Sequence, residues 1–340
     1  MADDAAPRGA AQANNGARAA RRMGALRAFL RWREASIIVV AVVLVVYFEA
    51  SNGNFLSNDN LQTLSQFVAP WVIIACGEIM LLICGEIDLS VGQVFALAPF
   101  IMYFANHAGL PLGLGIVLAL VIAGLVGLFN GAVTVLLEVP SFVTTLGSLF
   151  ILNGLTLTIS RGFPVNTPGG PVMTAIMGGG AYSEIIWALV IVALMHVVLR
   201  NTRWGLHTIA VGGNAVGASE AGIHVARIRV GNFVLTSIFG GLTGLLEAFR
   251  IASTDPLAGG TEYMFLAVAA GVIGGTSLAG GSGTILGGLV GAIVLAVLRD
   301  GFTLQGINAF TFDLIIGAAI LIAMVANVRL ARLRVSGGRT

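Results

Sequence analysis

Gly85-Glu86-Ile87-Asp88-Leu89-Ser90-Val91-Gly92 interrupts one long apolar run of the chain. Gly274-Gly275-Thr276-Ser277-Leu278-Ala279-Gly280-Gly281 interrupts another in its second half. In this register the two octets are identical at three of eight positions. Polar or irregular backbone at membrane depth survives only where protein buries it or a water-filled cavity wets it. Paired interruptions at matching places in two halves are a sequence pointer to a transport pathway.

Working outward, the 340 residues are 57% hydrophobic and only 10% charged. A soluble domain carries about 25% charged residues, and so little charge could not cover the surface of a soluble chain this long. The fold class expected is an all-α integral membrane protein. A β-barrel would alternate apolar and polar residues, whereas these runs are continuous. All 18 basic residues are arginine. A phosphate-binding loop ends in Gly-Lys-Ser/Thr, so any ATP hydrolysis belongs to another polypeptide. Cys76 and Cys84 lie eight residues apart in one apolar run, about 12 Å along one helix at ~1.5 Å per residue. A disulfide needs Cα atoms within roughly 7 Å, so both read as apolar packers. The four histidines lack metal-ligand spacing. No cofactor and no nucleic-acid partner are expected.

A spanning helix needs about 20 mainly apolar residues. Ten candidates emerge: 36–49, 66–84, 91–107, 113–137, 141–159, 184–199, 230–248, 263–274, 284–298 and 311–328. The first reads as a retained span, because no small-x-small cleavage site follows it. Cytoplasmic loops carry the excess of basic residues. Seven arginines precede the first span, four lie between the sixth and seventh, and four follow the tenth. Ten spans with both termini cytoplasmic place all of these inside, leaving Arg161, Arg250 and Arg299 in predicted outer loops. The domain organisation is a basic cytoplasmic tail (1–34), a membrane domain (35–328) and a second basic tail (329–340). Within the first tail, 22–33 reads either as an interfacial helix on an anionic leaflet or as a disordered segment that sets topology. The outer loop 160–183, rich in proline and glycine, is expected to be irregular.

Several polar residues are candidates for the translocation path. Ionisable groups at membrane depth are functional candidates by default, which singles out Glu78, Glu86 and Asp88. Glu78 reads as a cavity-lining or buried hydrogen-bonding group. Glu86 and Asp88 either line a polar route or sit near the cytosolic interface, with Asp88 placed as an N-cap for the next helix. The uncharged set Ser90, Gln93, Asn130, Thr144, Asn153, Thr276 and Ser277 suits a neutral polyhydroxylated solute. Helix–helix hydrogen bonding is the alternative role. In the inner loop 200–229, Asn214 to Ile223 reads as a short helix with Asn214 as N-cap, either a docking knob or an ordinary surface helix. Few other acids lie within a span, which weakens an ion-coupled secondary transporter without excluding it.

GEIDLSVG closely resembles the Gly-Gly-Ile-Asp-Leu-Ser-Val-Gly signature of the ribose/xylose/arabinose-type permeases of bacterial ABC importers. AVGGNAVGASEAGIHVARIRV is similar to that family's cytosolic coupling loop, and IGGTSLAGGSGTILGGLVGAIVLAVLRDGF to its third signature. The resemblance covers about residues 36–328. It implies a multi-pass protein of the bacterial cytoplasmic membrane, built of two related halves, that does no covalent chemistry. It implies a second permease copy forming a homodimer or heterodimer, a cytosolic ATP-binding cassette ATPase and an extracytoplasmic sugar-binding protein. The coupling role carries over onto Asn214, Ala218, Ser219, Glu220, Ala221, Gly222 and Ile223. The solute implied is a monosaccharide or related polyol, with a non-sugar solute as the alternative. Two positions depart from the pattern: Glu86 stands where the family usually has glycine, and Met264-Phe265-Leu266 stand where it often has Glu-Leu-Asp.

Overall fold

The computed structural model describes residues 35–308, 311, 312, 314–322 and 325. Both basic tails, and with them most of the arginines that set the expected orientation, lie outside these residues. The described chain is helical almost throughout. Its helices are α1 (Ala35–Ser51), α2 (Asn58–Ile83), α3 (Val91–His107), α4 (Leu112–Leu136), α5 (Ser141–Ser160), α6 (Pro171–Thr174), α7 (Ser183–Asn201), α8 (Arg203–Gly213), α9 (Ala215–Glu220), α10 (Val225–Ile251), α11 (Gly260–Ile273) and α12 (Ile285–Leu304). Residues 314–322 continue as helix. Among the described residues, six helices are long and apolar enough to cross a membrane: α2, α4, α5, α7, α10 and α12.

Burial separates these six into two roles. In α2, 89% of the most apolar stretch is buried, against 28% in α4 and 33% in α5 and α7. A helix apolar all round is an interior or lipid-facing helix. Here α2 is the interior one, and α4, α5 and α7 turn Leu125, Phe150 and Val190 outward. Around α2 pack α10, α11, α12 and α7. The α10 helix also lies along α3 and α4. A Cβ at Gly127 would overlap the Phe233 carbonyl, and one at Gly244 the Phe95 carbonyl. Such small residues let helix backbones approach closely where lipid supplies no hydrophobic drive. At the far end, Asn60 Nδ2 donates to Asp300 Oδ2 at 2.6 Å, fastening the start of α2 to the end of α12.

Three expectations need correction. The outer loop 160–183 is not wholly irregular. Its residues Val165–Asn166 (β1) pair antiparallel with Ser253–Thr254 (β2), Val165 opposite Thr254. The Thr167 hydroxyl adds a bond to the Ala248 carbonyl at 2.9 Å. Arg250 and Arg299 are not in loops but inside α10 and α12. Both charges are compensated: Arg250 pairs with Glu184 at 3.3 Å and with Glu247, and Arg299 with Glu262 at 2.8 Å. The helix predicted over 214–223 ends at Glu220. Gly222, at φ 82, reverses the chain there, and Ile223 N–H returns to the Ala218 carbonyl at 2.9 Å.

Candidate translocation and coupling site

Both octets begin with the same helix stop. Gly85 N–H donates to the Leu82 carbonyl and Glu86 N–H to the Leu81 carbonyl, both at 3.0 Å. Gly275 N–H donates to Val272 at 2.9 Å and Thr276 N–H to Gly271 at 3.0 Å. These are two Schellman motifs, with Gly85 at φ 78 and Gly275 at φ 91. Gly85 therefore corresponds to Gly275, not to Gly274. The register read from identity is one residue out, because the left-handed position fixes the alignment and identity does not.

Beyond its stop, the first break runs without regular structure to a turn at Leu89–Ser90 and then α3. Irregular buried backbone leaves peptide groups that neighbours must satisfy. Ile87 N–H donates to Ser141 Oγ at 3.3 Å, and Asp88 N–H reaches Glu78 Oε2 at 3.5 Å. Asp88 is fully buried and lies at the centre of a network. Its Oδ1 accepts from Ser90 N–H at 2.9 Å and Ser90 Oγ at 2.6 Å. Its Oδ2 accepts from Ser237 Oγ at 3.3 Å. Asn130 Nδ2 donates to Ser90 Oγ at 2.8 Å and lies 3.4 Å from both carboxylate oxygens. Ser148 Oγ donates to Asn130 Oδ1 at 2.5 Å. The carboxylate thus joins α4 and α10 directly and α5 through Asn130, while Glu78 on α2 holds the Asp88 backbone N–H. Asp88 does not cap the next helix. Ser90 holds that position without a side-chain cap bond, because the carboxylate is turned into the bundle by its side-chain donors.

The remaining path candidates fall into different surroundings. Gln93, Thr144 and Thr276 are buried, and each keeps a side-chain oxygen without a hydrogen-bond partner among the described residues, as does Glu78 at Oε1. Asn153 is half-buried on α5. Ser277 serves its own turn, accepting from Ala279 N–H at 3.2 Å. Glu86 faces the other way and forms an ion pair with Arg229, at the start of α10, at 3.2 Å.

The second break closes on the first. Gly281 N–H donates to the Ile83 carbonyl at 2.8 Å. Gly212, at the end of α8, is wedged against both, since a Cβ there would overlap the Ile83 carbonyl and crowd Gly281 N. The two octets and the segment leading into α9 therefore meet at one junction. Asn232 bolts it laterally: its Nδ2 reaches Cys84 Sγ and Thr208 Oγ1 at 3.3 Å, and its Oδ1 accepts from Trp204 Nε1 at 2.8 Å.

From this junction α9 projects as a short knob. Asn214 caps it, accepting from Gly217 N–H at 3.0 Å, and Ala218 is buried against Cys84, Val211 and Ile228. Ser219, Glu220, Ala221 and Gly222 are exposed and Ile223 is half-buried. Sequence reading missed Val216, which is 70% exposed on the same knob. It also missed Gly212, Asn232 and Arg229, whose roles depend on contacts far away in the chain. The run Val211-Gly212-Gly213 was the one available signal of a close approach.

Residues 60–324 match the family described as branched-chain amino acid transport system, permease component. Among similar proteins, the xylose/arabinose import permease protein XylH of Sulfolobus acidocaldarius is 36% identical over 305 residues, covering 86% of this chain and 84% of that protein. The ribose import permease protein RbsC of Escherichia coli is 31% identical over 304 residues, covering 86% and 93%. The galactose/methyl galactoside import permease protein MglC of Salmonella typhimurium is 32% identical over 324 residues, covering 88% and 96%. No solved structure gives a significant match. The ion-coupled carrier gives way to this assignment, as does any reading of the chain as an enzyme. The chain belongs to the family of transport-system permease components, multi-pass proteins of the inner membrane.

Proposed function

We propose that the chain is the membrane subunit of an ATP-driven importer for a monosaccharide or related polyol. Ten spans, with both termini cytoplasmic, form the 35–328 domain, flanked by the basic tails 1–34 and 329–340. Two copies, or this chain with a homologue, enclose one path. A separate cytosolic ATPase docks on α9 through Ser219, Glu220, Ala221, Gly222 and Ile223, with Asn214 and Ala218 setting the knob's shape. An extracytoplasmic binding protein delivers the solute. The path is lined from Glu78, Gln93, Thr144, Asn153 and Thr276, while Asp88, Ser90 and Asn130 hold the break beside it.

The observation that carries this reading is the junction at Gly212, where the path-forming breaks touch the helix that leads to the knob. ATP binding on the partner biases which side of the path is open, and it acts by its differential affinity for the two states. Sugar as the solute is supported by relatives that are xylose/arabinose, ribose and galactose import permeases and by the uncharged polar set.

Purification of the assembly from its native membrane is expected to bring an ATPase subunit with it. Proteoliposomes of that assembly plus the binding protein are expected to take up a labelled monosaccharide only with ATP. Glu220→Arg is expected to leave folding intact and to uncouple ATP hydrolysis from uptake. Uptake of a branched-chain amino acid and of no sugar would overturn the solute assignment, and normal coupling in the variant would overturn the docking assignment.

A further inference from the structure

On α4, Val117, Leu120, Val121, Gly124, Leu125 and Leu128 recur at three- and four-residue spacing, so they share one helix face. That face does not close on α10. Between it and Val234 and Ile238 of α10 runs a groove of about 390 Å³. Every residue lining it is aliphatic or glycine. Gly124 keeps it open: a Cβ there would touch Ile238 at 3.4 Å, and a longer side chain would fill the space.

The depth of the groove follows from α4 itself. No charged residue falls between Leu112 and Leu136, and the groove occupies the middle of that helix. It therefore lies within a hydrocarbon core of about 30 Å. From Val117 to Leu128 it runs about 16 Å, which makes its cross-section about 24 Å², against roughly 80 Å² for a helix about 10 Å across. A second helix does not fit. One extended hydrocarbon chain does.

One end of the groove leads to a free cation. Arg227, Val234 and Ile238 lie on one face of α10, because steps of seven and eleven residues are close to two and three helical turns. Along α10, Arg227 stands about 10 Å from Val234 and about 16 Å from Ile238. The second distance matches one leaflet's share of the core. The Arg227 side chain is exposed and has no partner among the described residues, and Glu138, exposed just beyond α4, does not pair with it. The Trp204 ring lies against Gly231, one turn after Arg227. Tryptophan gathers at the membrane–water interface, so this ring marks the level of the headgroups. Arg203, beside Trp204, is exposed as well.

We propose that the groove between α4 and α10 binds one acyl chain of an anionic phospholipid, whose phosphate is held by Arg227. The guanidinium fork matches phosphate oxygens. With no carboxylate paired to Arg227, the site favours a lipid of net negative charge. The bound chain bears on Val234 and Ile238, beside the Asn232 and Ser237 attachments of α10, so occupancy braces α10 where it is fastened to the bundle.

The test uses the full chain, purified in mild detergent, and native mass spectrometry with added phosphatidylglycerol or phosphatidylcholine. Wild type is expected to retain one phosphatidylglycerol in preference to phosphatidylcholine. Arg227→Gln is expected to lower that preference about fivefold, the worth of one basic residue at an anionic surface. Gly124→Leu is expected to abolish retention of both lipids while helix content is unchanged. Equal retention of the two lipids by wild type, or a preference that Arg227→Gln leaves intact, would overturn the phosphate contact. Full retention in Gly124→Leu would overturn the groove.

A second measurement needs no substitution in the groove floor. Phosphatidylglycerol carrying a photoreactive group on its acyl chain is expected to label peptides containing Leu125 or Val234 in wild type. Labelling confined to other helices would overturn the proposal. The chain's two cysteines are both buried, so Val121→Cys supplies a single accessible thiol on the groove edge. A disulfide between two copies through that thiol would make the groove a contact between permease copies, and would overturn the lipid site.

Discussion

After Cys84 the chain turns at Gly85, passes Ser141 and Glu78 without regular structure, and turns again at Leu89–Ser90 before α3 begins at Val91. After Gly274 it turns at Gly275 in the same way but then folds back on itself. Ser277 N–H meets the Ser282 carbonyl at 2.9 Å, and Thr284 caps α12, accepting from Gly287 N–H at 3.0 Å. Identical helix stops thus lead to opposite solutions. The first break is shaped by side chains of α2, α4 and α10 converging on Asp88. The second is shaped by the lack of side chains, its glycines letting backbone touch backbone. A buried charge held by several donors is sensitive to the loss of any member. A glycine turn is sensitive to the gain of any atom. The two breaks should therefore fail under opposite kinds of substitution.

The largest effect is expected at the first break. Asp88→Ala leaves Ser90, Asn130 and Ser237 without their shared acceptor. It should cost about 3–5 kcal/mol, since each buried donor left unsatisfied costs about 1–3 kcal/mol, read as a fall in the detergent-solubilised thermal midpoint. An unchanged midpoint would dissolve the contrast between the breaks. At the second break the damaging change is an addition. Gly274→Ala drives a methyl group into Gly287 and should cost about 1–3 kcal/mol, as overpacking does. Stability equal to wild type would show that α11 and α12 separate freely there. Removing a polar group from the second break should matter least: Ser277→Ala gives up one exposed turn bond, about 0.5–1 kcal/mol. A loss as large as that of Asp88→Ala would make the two breaks alike after all.

Glu86 sharpens the comparison from the functional side. It stands just past the Gly85 turn and pairs with Arg229, near the start of α10. The pair is partly exposed, so its contribution to stability is about 0–1 kcal/mol. Glu86→Gly should therefore leave the thermal midpoint nearly unchanged. Its expected effect is on coupling: the ratio of solute moved to ATP hydrolysed should fall while sugar preference stays the same. A change of sugar preference instead would return Glu86 to the path wall.

Much of this was legible from pattern alone. Long apolar runs located the helices, since length and hydropathy are local properties, but polar first and last turns hid some ends: α2 begins at Asn58 rather than 66 and α12 runs to Leu304 rather than 298. The breaks were visible because polar and glycine residues are conspicuous in such runs. The Asn214 cap was visible because capping is local as well. What stayed hidden was partnership. Asp88 reads as a helix cap until Asn130 and Ser237 are seen beside it, and neither is near it in the chain. Arg250 and Arg299 read as loop residues because a charge signals a span's end, unless a carboxylate lies opposite. Identity aligned Gly85 with Gly274, whereas backbone conformation aligns it with Gly275.

The length and attachments of α10 have a mechanical consequence. Its 27 residues make a rod of about 40 Å. One end follows α9, and the other continues through Ala252 into the β2 strand that pairs with β1. Asn232 and Ser237 fasten it near the junction and near Asp88. Pivoting there, α10 is a lever with arms of unequal length, the longer one reaching the β1–β2 end. At 1.5 Å per residue, the arm from Ser237 to Ile251 is about 21 Å, so a tilt of roughly 5° moves its tip by about 2 Å. With the other arm, back to Val225, about 18 Å long, a displacement at the knob end would arrive nearly undiminished at the opposite face.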